Sequence, residues 1–427
     1  MAKTKKTISD GASLSPAMAP KVGVELGLPT GKADGATVAR HYKHAAGKSS
    51  TYAPEVVDMI YHMARAGHMP DDDVCAFVGA KLGAEREVPA KQPAPTFDQL
   101  VFLSANLTRL VIDPYREKCN SKVVIGPTRE RPLRLDWPIV FGGVDLARLP
   151  ERLRDWTRRG AAEANLAAVV SPDDAGADGE TAPMIVRSEL DDEPGDAASA
   201  AARLITAATA SRMQGDAIVA RVDALRARAG GPIPIGVEAP AHDAARIVDE
   251  TIDCDLDFYV ADAQWTSDAR PTSVFPELER GPQIEVLADV VERVRAHRSE
   301  HRVQVIYSGG VRGGADAGKA MCLGATAVSL GLSAVIGMGF RITGLKDEAT
   351  LLEAIEEPLD DAGAVRHLVN FAKSVNIEIT MLARACGKSS VTNMEPEDLR
   401  ALTVAVSAAT GIPVAGKDYR FRSEGGD

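Results

Sequence analysis

The feature that most constrains the fold is a repeated alternation of short apolar runs with long amphipathic ones. The apolar runs are "WPIVFGG", "LAAVVSP", "PMIVRS", "IPIGVEAP", "LDFYVADA", "VQVIYSGG" and "ATAVSLG". Between them lie Ala- and Arg-rich stretches with helical periodicity, such as "ASAAARLITAATASRMQGDAIVARVDALRARA" and "QIEVLADVVERVRAHRSE". Strands that are apolar throughout, separated by helices, belong to a parallel sheet covered on its faces. Seven such runs, with an eighth too faint to read, are closer to a closed (β/α)8 barrel than to a six-stranded open sheet. Aromatics supply only 4% of the 427 residues, so Ala, Val, Leu and Ile must build the core.

Ahead of the barrel, residues 1–35 are rich in Gly, Ser, Thr, Lys and Pro and read as a mobile tail. Residues 36–90 read as a helical region, with two short amphipathic helices in "APEVVDMIYHMARAGHMPDDDVCAFVGAKLGA". "REVPAKQPAP" reads as a linker, because three prolines cannot sit in a helix interior. The remainder, residues 91–427, is the barrel domain, in which "KVVIGP" and "RPLRL" read as two short extra strands.

The formal net charge is -11, which argues against a nucleic-acid surface, since phosphate neutralisation needs clustered Lys and Arg. No apolar run approaches the roughly 20 residues that span a bilayer, and no signal peptide follows the start. A cytoplasmic location is therefore expected. Cys75, Cys119, Cys254, Cys322 and Cys386 are scattered without CxxC spacing and give no zinc or iron–sulfur ligand set. His41 and His44 can share a helix face but have no acidic or thiol partner at matching spacing, so no metal site is expected.

Two strand ends carry a phosphate signal. One apolar run ends in Gly309-Gly310, before a helix opened by "GGADAGKA", and the next ends in Gly331-Leu332-Ser333. Glycines let a backbone approach an anion closely, and the helix start adds a favourable dipole. In a barrel, the loops after the last two strands often hold a phosphate. The alternative is that Gly-Gly merely turns strand into helix.

The stretch "SGGVRGGADAGKAMCLGATAVSLGLSAVIGMG" resembles the phosphate-binding end of the FMN domain of glutamate synthases and of the related N-methylglutamate synthase subunit. "PTFDQLVFLSANLTRLVIDPYREKCNSKVVIG" is similar to the segment that opens that barrel, and "ARACGKSSVTNMEPEDLRALTVAVSAATGIPVAG" to its C-terminal helical closure. The resemblance implies an FMN enzyme in which hydride passes to an imine formed from 2-oxoglutarate and ammonia. By it, Gly309, Gly310, Gly331 and Ser333 fall at the phosphate contacts, with Ser308 and Arg312 adjacent, and Gly142 and Gly143 fall where the backbone passes the flavin. It further implies homo-oligomers, or hetero-oligomers with other synthase-type subunits.

The sequence also departs from that family. A Lys-Pro-Gly turn is matched by Glu193-Pro194-Gly195, where Glu193 would repel a dicarboxylate; the same stretch can be a solvated acidic loop. A lysine that meets the flavin ring is matched by Gly236, and a Gly-Gly-Thr turn by Trp265-Thr266-Ser267. Asp262 and Gln264 remain as polar groups at the site without an assigned role. The three-cysteine cluster motif has no counterpart, so no iron–sulfur cluster is expected. Position 2 is Ala, so a glutamine-hydrolysing N-terminal cysteine is not expected either. No G-x-G-x-x-G fingerprint sits at a strand–helix junction. Three functions stay open: an FMN-dependent glutamate synthase-like subunit, a non-catalytic paralogue serving as partner or scaffold, and another barrel enzyme with a phosphate-bearing ligand. The last would need an acid–base pair that the sequence does not identify.

Overall fold

A computed structural model describes residues 51–52, 54–68, 95–105, 117–143, 149–176, 183–192, 200–229, 232–271, 273–279, 281–339 and 360–416. Its strands in chain order are β1 Leu100–Phe102, β2 Val123–Ile125, β3 Leu133–Leu135, β4 Ile139–Phe141, β5 Ala167–Val170 and β6 Met184–Glu189. They continue with β7 Ala200–Thr206, β8 Ile235–Pro240, β9 Phe258–Asp262, β10 Gln304–Ser308, β11 Ala327–Leu330 and β12 Leu399–Ala401. Strands β4 to β11 form a closed barrel in which each neighbour pair is parallel. Closure is between β11 and β4, with Val328 opposite Ile139 and Leu330 opposite Phe141. The expected (β/α)8 architecture is therefore the one observed.

The apolar runs form strands because they are buried on both faces. All six residues of β8 and all five of β10 are buried. Parallel strands bring every C-terminal end to one rim, which is where side chains from eight separate chain segments can meet. The opposite rim is closed by the antiparallel hairpin of β2 and β3. Gly126 N–H donates to the Gln304 side chain at 2.8 Å, and Arg129 Nε to Asp257 at 2.6 Å.

Strand β7 corrects the sequence reading, which placed "ASAAARLIT" inside a helical run. Its alanines are good helix formers, but pairing with β6 and β8 buries six of its seven residues, and that tertiary gain outweighs local propensity. Of the two helices expected before the barrel, the first is observed as Pro54–Ala66. The second, the tail and the linker lie almost wholly outside the described residues.

Amphipathic helices cover the barrel as their periodicity requires. The Glu151–Ala164 helix buries Leu153, Trp156, Gly160 and Ala161, and stops at Asn165, which adopts the left-handed conformation at φ 51°. The C-terminal Asp361–Ala385 helix is capped by Asp360, which accepts the Gly363 N–H at 2.6 Å. It packs against the Pro54–Ala66, Glu151–Ala164 and Gly314–Cys322 helices. That docking brings Tyr52, just before the Pro54–Ala66 helix, down to the loops that follow β10 and β11.

Candidate functional site

The barrel's C-terminal rim holds two adjoining features: an axial mouth and a backbone cradle. The mouth is lined by Val140, Val169, Ile185, Leu204, Val260 and Ile306 below and by polar groups above, and holds about 360 Å³ of atom-free space, counting the part open to solvent. The polar groups are Arg187 from β6, Glu238 from β8, Ser308 from β10 and Ser329 from β11. Gly143 lies at its edge with φ +79°, and a Cβ there would stand 2.9 Å from the Ser308 hydroxyl. Gly142 is held as tightly, 2.9 Å from the Ser329 hydroxyl by the same measure. These two glycines let the end of β4 close over the serines.

Glu238 is 6% exposed and anchors the charges. Its Oε2 accepts from Thr206 at 2.5 Å and from the Arg270 guanidinium, and Arg270 in turn lies over the Trp265 ring at 5.0 Å. Burial opposes its ionisation, but Arg270 and Arg187 outweigh burial and hold its carboxyl below the usual range. Asp262, at the end of β9, goes the other way. Burial first, and the neighbouring Glu238 charge second, push it up to about 7, although Gln264 N–H donates to it at 2.9 Å. The two neighbouring carboxyls thus have their affinities for a proton driven apart. The sequence had offered Asp262 without a role, and Glu238, Arg187 and Arg270 not at all.

Gly236 lies two residues below Glu238 on the same face of β8, and a Cβ there would run into the Phe258 ring at 2.4 Å. It therefore sits in the deep layer, and Glu238 is the β8 side chain at the mouth. Trp265 is fully buried beneath Arg270, donates to Asp268 O at 3.3 Å and does not line the mouth. Glu193 lies outside the described residues. Gln264 is 5% exposed and its amide has no hydrogen-bond partner, and the Ser329 hydroxyl is unpartnered as well. Unpaired buried polar groups are costly, so both are places where a polar ligand or water would be stabilised.

The cradle is built by the two glycine turns. Gly309 and Gly310 have φ of +125° and +65°, and Gly331 follows β11. This turns the N–H groups of Gly310 and Leu332 toward one point. That point is filled by Glu277, from the short Pro276–Glu279 helix between β9 and β10. Its Oε1 accepts Gly310 N–H at 3.1 Å, its Oε2 accepts the Tyr52 hydroxyl at 2.8 Å, and Leu332 N–H also donates to it. Glu277 is 2% exposed.

The remaining phosphate candidates point elsewhere. Ser333 Oγ donates to Val311 O at 2.7 Å, and Arg312 is held by Asp98 and Asp316 at 2.7 Å each. A phosphate at the same N–H groups would crowd the Glu277 carboxylate. Like unit charges about 4 Å apart repel by about 4 kcal/mol at an effective dielectric of about 20. With Glu277 in place, the cradle does not fit a phosphate ester. Nothing in "SVFPELERG" signals this, because it reads as an ordinary acidic loop.

Among the described residues no group of three or more His, Cys, Asp or Glu is placed to hold a metal, and no helix is long and apolar enough to cross a membrane.

The family model for FMN-dependent dehydrogenase matches residues 279–361 of this chain. The glutamate synthase large subunit-like protein of Rhizobium meliloti (strain 1021) is 26% identical over 405 residues, covering 78% of this chain and 90% of that protein. The archaeal glutamate synthase [NADPH] of Methanocaldococcus jannaschii is 30% identical over 163 residues, covering 36% of this chain but only 32% of its own length. Among solved structures, a doubly substituted flavocytochrome b2 with pyruvate bound aligns with TM-score 0.49 at 15% identity, over 76% of this chain and 80% of that one. The sequence comparisons bear out the resemblance to the FMN domain of the glutamate synthases.

Proposed function

We propose that this chain is a glutamate synthase-like subunit of the FMN-dependent oxidoreductase type, acting on 2-oxoglutarate or glutamate together with an amine. The observation that carries this reading is the charge arrangement at the mouth. Arg187 and the Glu238–Arg270 pair place both signs of charge at one polar rim above an apolar well, an arrangement that suits a substrate carrying a carboxylate and an ammonium group. Asp262, protonated below about pH 7, can hand a proton to a group bound beside it. Similarity over 90% of the Rhizobium protein supports the same class. In such enzymes the flavin supplies redox chemistry, while the chain supplies orientation and charge. Because Glu277 fills the cradle, no reaction step is assigned through the flavin.

Glu277 also favours a second reading, in which the chain is a non-catalytic paralogue that serves a synthase complex as partner or scaffold. Both are tested by recording the visible spectrum of the purified chain before and after incubation with FMN. Anaerobic addition of glutamate, or of 2-oxoglutarate with ammonia or methylamine, then probes the substrate. Flavin absorbance that responds to these compounds supports the enzyme. A colourless chain that takes up no FMN and co-purifies with another synthase-type subunit supports the scaffold.

A further inference from the structure

We infer that Glu277 is an internal substitute for a ligand phosphate, and that this one side chain sets the affinity of the cradle for phosphate esters. It deepens the flavoprotein reading and rests on that reading for the ligand's identity, but not for the cradle's chemistry.

Three segments far apart in the chain converge on this carboxylate: Tyr52 before the first helix, Gly310 after β10 and Leu332 after β11. Both carboxylate oxygens accept hydrogen bonds, so the group is held as an acceptor, as a phosphate would be. Its donors leave it satisfied although it is 2% exposed, and Tyr52 above it is 1% exposed. Burial pushes the Glu277 carboxyl above its usual range, and the hydrogen bonds from Gly310, Tyr52 and Leu332 pull it back. A buried carboxyl with all three donors aimed at it is a built feature of the site.

The neighbouring anion-attracting groups are satisfied in the same manner. At the start of the Gly314–Cys322 helix, Glu378 accepts the Gly314 N–H at 2.6 Å and also bonds the Ala315 N–H. The nearby guanidinium of Arg312 is shared between Asp98 and Asp316. Backbone cradle, helix start and arginine thus each already meet a carboxylate of this chain. A phosphate ester can reach the Gly310 and Leu332 N–H groups only by displacing Glu277. Its removal should leave the two N–H groups and the Tyr52 hydroxyl facing an empty, anion-sized space.

The test compares the full-length chain with Glu277→Ala and Glu277→Gln. FMN binding is followed by quenching of flavin fluorescence, and inorganic phosphate binding by calorimetry and by thermal stabilisation. Glu277→Ala should bind both probes about 100-fold more tightly than the wild type, a change of about 2.8 kcal/mol. Glu277→Gln, which keeps the volume and loses the charge, should fall between them. If Glu277→Ala does not fold, Glu277→Gln carries the test, judged by any gain over wild type. A variant that gains phosphate but not FMN leaves this inference standing and removes the flavoprotein reading. Wild-type protein that binds stoichiometric FMN as tightly as the variants overturns the inference and keeps the flavoprotein reading. Folded variants that gain neither probe overturn the inference as well.

Discussion

Asp262→Asn should change how stability depends on pH, with a sign and a window set by the mouth of the barrel. An aspartate in an unfolded chain titrates near 3.9, whereas Asp262 is pushed up to about 7 by burial and by Glu238. The folded state therefore holds the proton more tightly than the unfolded state does. Stability from this group is fully present below about pH 4 and is lost as pH rises through about 7. In between, the native chain binds one more proton, and the loss is about 1.4 kcal/mol per pH unit. About three pH units set an upper limit near 4 kcal/mol, and partial exposure of Asp262 reduces the expectation to about 2–4 kcal/mol. Asparagine keeps the shape and can still accept the Gln264 N–H, but it has no proton to lose. Urea unfolding of both proteins from about pH 4.5 to 8.5 measures the difference for Asp262 together with the Glu238 charge it is linked to, while groups remote from the pair cancel. The variant should gain on the wild type steadily as pH rises. A difference that stays flat, or shrinks, would refute the assignment of a raised proton affinity to Asp262.

At the opposite rim, Asp257 is fully buried and takes hydrogen bonds from Arg129 at 2.6 Å, Arg226 at 2.5 Å and Ile235 N–H at 2.8 Å. Asp257→Ala removes the buried carboxylate that Arg129 and Arg226 share, leaving them the more exposed Asp255. It should cost about 3 kcal/mol in chemical denaturation, since breaking a buried ion pair exceeds its net worth. Gly310→Ala puts a side chain at φ +65° and a Cβ 2.6 Å from Pro282. Left-handed strain plus that clash should cost about 2 kcal/mol in the same assay. Tyr52→Phe removes a 2.8 Å bond to Glu277 and should lower stability by about 1–2 kcal/mol. Equal stability would mean that water replaces the hydroxyl.

The barrel was legible because its signal is local. A run such as "VQVIYSGG" declares a strand buried on both faces and a turn that needs glycine, and β10 with Gly309 and Gly310 forms where that run predicts. The pair "KVVIGP" and "RPLRL" likewise appears as the hairpin of β2 and β3. Strand β7 was hidden because alanine-rich sequence favours a helix until two neighbouring strands bury it. The site was much less visible. Glu238 lies in an apolar run and shows its importance only when β6, β8 and β9 bring Arg187 and Asp262 beside it. Gly236 looked like the position facing the cofactor, yet it lies a layer deeper against Phe258, a distinction made by depth along the strand. Glu277 gives no local sign at all, because Tyr52, Gly310 and Leu332 reach it only after the barrel closes and the first helix docks. Periodicity and turn chemistry are properties of neighbouring residues, and they fix the elements. The charge at a given point depends on which distant segments meet there, and that follows from strand order, register and helix docking.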